Sequence, residues 1–152
     1  MLPFLSGIAD RIVGLDLDIG PHKTLRRYVS FPRKVEVHDV NEMPLPSLPA
    51  GAFDVVIALD VLEHVSDLES TLSELARILK REGQMVISGP TENLAYRIGR
   101  RLAGKEYSGD YHVRNIYQIA KALSKSIELQ TLATLYYPIP FFKVYGGRKR
   151  QV

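Results

Sequence analysis

There is no cysteine anywhere in the chain. Disulfides and thiolate metal sites are therefore excluded, and the redox state of the compartment is left open. No apolar run approaches the ~18–20 residues that a membrane-spanning helix needs. The opening MLPFLSGIA has no basic n-region and is too short for a secretory signal, so a cytoplasmic protein is expected. Internal repeats and low-complexity tracts are missing as well, which removes repeat architectures from consideration.

What remains is the composition of an ordinary globular domain. With 152 residues, 45% of them hydrophobic and 24% charged, the chain is long enough for a real core, and residues 1–152 read as a single domain. A net charge of +3 and a pI near 9.2 weakly permit anionic partners.

The chain is organised around FDVVIALDVLEHV, residues 53–65. From Phe53 to Leu59 only Asp54 interrupts an apolar run rich in Val and Ile. Such a run predicts a strand buried on both faces, as in a parallel sheet. Asp60, Glu63 and His64 follow within about one helical turn, beyond the carboxyl end of that strand, where ligands of open α/β sheets sit. If a helix begins near Asp60, offsets of three and four bring all three onto one face. Ser66 reads as a helix N-cap, with Glu69 completing a capping box. Leu68, Leu72, Leu75 and Leu79 follow at helical spacing, Gly83 supplies a stop, and QMVIS is the next strand. The pattern is a βαβ unit.

The flanking segments fit around it. Residues 1–9 read as the tail of a helix packed on the sheet, 11–18 as a buried strand ending in Asp16 and Asp18, and 21–28 as a helix opened by Pro21. Residues 35–39 alternate as a short strand closed by Asp39, and the proline-bearing stretch 41–51 reads as an irregular connection. Downstream, 91–103 has a helical pattern with Leu94, Ile98 and Leu102 on one face. Residues 104–114 read as a polar lid, 115–124 as a short helix, and 127–137 and 141–150 as two final strands, one of them antiparallel to the rest.

FDVV, LEHV, the L-x-E-L-x-R-x-L pattern at 72–79, the Gly83 turn and the strand ending Ser88-Gly89-Pro90 carry a resemblance. In this order and spacing they resemble the second half of a class I S-adenosylmethionine-dependent methyltransferase, closest to the ubiquinone-biosynthesis O-methyltransferases. The resemblance covers residues 11–90 and, more loosely, the remainder. It implies an α/β fold, a Rossmann-like sheet with helices on both faces and an antiparallel C-terminal strand. It also implies an N-terminally incomplete copy. The family's first strand ends in a Gly-rich turn that lets backbone amides approach the methionine part of the cofactor. GLDLDIG at 14–20 is a poor candidate for that turn, because two strands should separate it from FDVV and only 35–39 does so. Truncation from a longer protein is favoured over degeneration. In the family the first strand lies between the second and fourth, so its loss exposes two apolar edges. An oligomer or a partner covering those edges is expected, or a closed gap.

The resemblance also implies site residues and S-adenosylmethionine as cofactor. Asp16 resembles the acid that accepts hydrogen bonds from the ribose hydroxyls, with Asp18 the competing residue. Asp39 resembles the acid that accepts from the adenine amino group, with Val40 supplying a backbone amide, and Asp60 joins the cofactor-binding set. His64 is the candidate general base. Alternatively Asp60, Glu63 and His64, with His112 from the lid, hold a divalent metal. The D-x-x-E-H pattern is similar to the E-x-x-E-H of some ubiquinone O-methyltransferases and small-RNA 3′-end methyltransferases, with Asp for the first Glu. A third reading keeps the cluster structural, with His64 packed at the helix start and Glu63 pointing to water. Arg97, Arg100, Arg101 and Lys105 flank the apolar face of 91–103 and suit phosphate, lipid headgroups or nucleic acid, or a plain solvated face. Tyr107, Tyr111 and His112 fall where the family closes over substrate.

The expected function is methyl transfer to a small-molecule or lipid-like acceptor, weak or absent in this chain by itself. The alternatives are a non-catalytic binding module of the same fold and an RNA methyltransferase. A nucleic-acid partner is disfavoured, and association with a membrane surface stays open.

Overall fold

The structure is a computed structural model and describes residues 2–5, 7–16, 34–39, 48–103, 114–136 and 138–150. The chain divides into two compact units, Met1–Leu45 and Pro46–Val152.

The first unit contains a short helix α1 (Leu2–Leu5) and the parallel strands β1 (Arg11–Asp16) and β2 (Lys34–Asp39). The register runs from Arg11 opposite Lys34 to Asp16 opposite Asp39. Ile12 and Val35 face each other across this pair and are both buried. Arg11 Nη2 reaches Glu36 Oε2 at 3.1 Å on the outside. The expected packed helix at the start is a single turn, and Phe4 and Ile8 are mostly exposed. Four residues are too few to present an apolar stripe. Asp18 and the helix expected over 21–28 lie outside the described residues.

The second unit begins with β3 (Phe53–Leu59), a 3₁₀ turn at Leu62–His64, α2 (Leu68–Ile78) and β4 (Leu79–Pro90). Helices α3 (Leu94–Ala103) and α4 (Ile116–Leu123) follow, then β5 (Ile127–Leu135) and β6 (Phe142–Lys149). The strands form one sheet in the order β3-β4-β6-β5. The crossover helix α2 leaves β3 and β4 parallel, while the short turn after β5 makes β6 its antiparallel neighbour. β6 is also antiparallel to β4. Hence β3, β4 and β5 run one way, with β6 inserted against them.

One side of this sheet carries the core. Val56 and Ala58 of β3 stand beside Met85 and Ile87 of β4. They are buried together with Leu68, Leu72, Leu75 and Ile78 of α2 and Ile116, Ile119 and Leu123 of α4. Gly89 on the same side lets α4 approach closely, since a Cβ there would come within 3.4 Å of Ile116. The other side of β3 is different. Val55, Ile57 and Leu59 are 48%, 37% and 42% exposed, so burial on both faces is not what β3 has. Successive side chains alternate between faces, and the packed helices lie on the Val56 side.

Two boundaries also move. Asp67, not Ser66, caps α2, its carboxylate accepting from Ser70 N at 3.1 Å. Ser66 is held outside the helix because its carbonyl accepts from Arg114 Nη2 at 3.1 Å, and Glu69 faces Lys125 instead. The helix ends at Ile78 without Gly83. Lys149 Nζ donates to the carbonyls of Ala76 at 2.6 Å and Leu79 at 3.0 Å, serving orphan acceptors of the last turn. Gly83 lies inside β4, where a Cβ would collide with Leu79 at 2.6 Å. No helix among the described residues is long and apolar enough to cross a membrane.

Candidate active site

In the first unit the parallel register sets Asp16 and Asp39 side by side at the carboxyl ends of β1 and β2. Neighbouring strands lie about 4.8 Å apart, so Asp16 and Asp39 are adjacent in the backbone at the strand ends. Asp16 is exposed. Val40 lies outside the described residues, as do Tyr107, Tyr111 and His112.

In the second unit Asp60 follows directly after β3, and its φ of 51° turns the chain sharply. Left-handed backbone is costly for most residues and least so for Asp and Asn after glycine. Two hydrogen bonds to the end of β4 hold the turn. Asp60 N donates to the Ser88 carbonyl at 3.2 Å, and Ser88 Oγ donates to Asp60 Oδ1 at 2.9 Å. Ser88 was legible only as part of a strand-ending motif. Its role in orienting the acid comes from the register, which sets it beside Leu59.

The turn then separates the expected trio. Asp60 is exposed, Glu63 is only 2% exposed, and His64 is exposed. They do not share a helical face. Residues 62–64 form a 3₁₀ turn with three residues per turn rather than the start of α2. Glu63 enters the core beside Gly89. A Cβ on Gly89 would lie 3.7 Å from Glu63 Oε2. The reading with Glu63 in water and His64 packed is therefore reversed. Among the described residues no group of three or more His, Asp or Glu is arranged to hold a metal.

Arg114 fixes the exit of this turn, with Nη1 donating to the Val65 carbonyl at 2.7 Å and Nη2 to that of Ser66. Sequence reasoning gave Arg114 no role, since the contact spans 49 residues. An aromatic group stands at the ends of β4 and β5. Tyr96 meets Phe141 and Phe142 edge-on at 5.9 and 5.6 Å, and Tyr136 tilts over Phe141 at 5.4 Å. Thr91 Oγ1 and Asn93 Nδ2 both donate to the Pro140 carbonyl, tying the start of α3 to this turn.

Strands ending in acids, and a sharp polar turn after β3, are now joined by a direct comparison. The family model described as "Methyltransferase domain" matches residues 1–87, which run from α1 into β4. The chain belongs to the methyltransferase-domain family. A probable S-adenosylmethionine-dependent methyltransferase of Mycolicibacterium smegmatis is 34% identical over 86 residues, 57% of this chain and 32% of that protein. A ubiquinone biosynthesis O-methyltransferase of Nitrosococcus oceani is 27% identical over 143 residues, covering 88% of this chain and 61% of that one. The chain thus spans about a third to three fifths of these two relatives. The magnesium protoporphyrin IX methyltransferase of Synechocystis, solved with bound SAH, superposes with a TM-score of 0.68 at 16% identity, covering 98% of this chain and 68% of that one. At that identity the likeness concerns the fold, a methyltransferase-type α/β sheet.

Proposed function

We propose that this methyltransferase-domain chain binds S-adenosylmethionine and serves methyl transfer to a small-molecule or lipid-like acceptor, residues 1–152 acting as one domain. The observation that supports the reading is the paired placement of Asp16 and Asp39 at adjacent strand ends. A carboxylate accepts two hydroxyl hydrogens at once, which suits a ribose diol at Asp16. By the family resemblance, Asp39 would serve the adenine amino group and Val40 would supply a backbone amide. Asp60, oriented by Ser88 Oγ, is taken separately as a further candidate for contact with the cofactor.

When bound, the cofactor supplies a methyl group already activated on a sulfonium. What this chain adds is alignment and a route for the acceptor's proton. His64 is exposed beyond the carboxyl end of β3 and is proposed to take that proton from the attacking hydroxyl or amine. Glu63 is packed inward and is not offered for proton transfer.

Calorimetry of the full 152-residue chain with S-adenosylmethionine tests the reading. A charge-assisted hydrogen bond contributes about 1.5–3 kcal/mol, so Asp16→Ala should weaken binding roughly ten- to a hundredfold. His64→Asn should keep the cofactor affinity and lower turnover by roughly 10²–10⁴. Adding a Gly-rich turn upstream of β1 is expected to raise both affinity and turnover, since its backbone amides approach the methionine part of the cofactor. An affinity untouched by Asp16→Ala would overturn the ribose assignment. No binding even with the turn supplied would favour the non-catalytic module.

A further inference from the structure

Three helices of the second unit have an apolar stripe, and one of them shows it to solvent. On α3, Leu94, Ile98 and Leu102 recur every fourth residue and are 73%, 50% and 83% exposed. On α4, Ile116, Ile119 and Leu123 are buried. The stripe of α3 is not a helix waiting for its own core, because α3 already packs inward through Tyr96 against Phe141 and Phe142. Tyr136 and Ile139, from the turn that Thr91 and Asn93 tie to the start of α3, add exposed apolar surface. Isolated exposed apolar residues need no explanation, but a repeating stripe with a flanking turn does.

The charge on α3 identifies the occupant. LAYRIGRRLA holds Arg97, Arg100 and Arg101 and no acid, and Arg97 is exposed. We propose that α3 is an interfacial helix that lays Leu94, Ile98 and Leu102 into an anionic lipid surface, its positive charge meeting the headgroups. Low overall hydrophobicity, one apolar stripe and polar positions rich in arginine are the marks of helices that lie in the plane of a bilayer. A second copy of the chain is a poorer occupant, since pairing α3 with itself brings like charges together. Nucleic acid is poorer still, because phosphates give the leucines nothing. Binding requires no turnover, so this inference stands apart from methyl transfer.

The chain has no tryptophan, so Ile98→Trp places a single reporter in the middle of the stripe. Emission of that variant should shift to the blue on mixing with vesicles of phosphatidylcholine and phosphatidylglycerol, and the protein should float with them. Leu94→Glu with Leu102→Glu should reduce flotation roughly tenfold or more, and vesicles of phosphatidylcholine alone should bind about tenfold less. Both variants change exposed positions, and matched melting curves confirm that they fold. The proposal falls if the tryptophan reporter stays unshifted while the double variant floats like the parent, which would leave only charge attraction. It also falls if the parent sediments as a dimer that the double variant dissolves, or if binding is confined to a single-stranded oligonucleotide.

Discussion

Helices α3 and α4 carry the same kind of apolar periodicity and meet opposite fates. Ile119 of α4 is wholly buried, whereas Leu102 of α3 is 83% exposed. A 3.6-residue period therefore says that a helix has an apolar face and nothing about what that face meets. What separates the two is the sheet. Gly89 of β4 gives α4 a surface to settle on, while α3 spends its inward side on Tyr96 and the Phe141–Phe142 corner.

The largest expected effect lies on the packed side. Ile119→Ala should cost about 2–5 kcal/mol in denaturant unfolding, the range for deleting a buried aliphatic side chain. A loss no larger than that of a surface change would break the contrast between the helices. Next comes the cap of the other packed helix. Asp67→Ala removes the acceptor of Ser70 N and should lower stability by about 1 kcal/mol, whereas Ser66→Ala should leave it nearly unchanged. Equal effects would return the cap to Ser66. On the exposed helix, Ile98→Ala should change stability by no more than about 0.5 kcal/mol while reducing vesicle binding.

The smallest effect is a pH dependence on α2. The Arg77 side chain hydrogen-bonds Glu74 and holds its carboxyl below the ordinary carboxylate range. Burial acts the other way, and the charge of Arg77 adds to the lowering. A depressed folded-state value means that the stabilisation is present above the ordinary carboxylate range and is lost as the pH falls through the folded-state value. Glu74→Gln should therefore melt slightly below the parent at neutral pH, and the gap should close on acidification. A gap that widens in acid would contradict the pairing. Arg77 also donates to the Leu48 carbonyl at 2.9 Å, so Arg77→Ala should loosen the approach to β3 as well.

Much of the fold was legible because it is written in local patterns. Phe53–Leu59, Lys34–Asp39 and the two closing strands follow from β-branched and alternating runs, and α2 from its leucines. The insertion of β6 between β4 and β5 was anticipated only as one antiparallel strand among the last two. The candidate site was half legible. Asp16 and Asp39 were found as strand-ending acids, and their register sets them side by side. The geometry of Asp60, Glu63 and His64 was not, because i, i+3 and i+4 spacing implies one face only if the backbone is α-helical. The left-handed turn at Asp60 and the 3₁₀ segment after it send Glu63 inward and His64 outward.

Sequence alone determined most of the described strands and helices, which acids end the strands, and the family to which residues 1–87 match. Those are properties of residues near one another in the chain, where side-chain period, caps and turn chemistry act directly. Tertiary structure alone decided that Arg114 would hold the Val65–Ser66 turn, that Lys149 would serve the end of α2, and that Ser88 would orient Asp60. It also decided which apolar stripe is core and which faces solvent. Each of these polar contacts joins groups 28 to 73 residues apart, and such contacts exist only after the sheet has set its order and register.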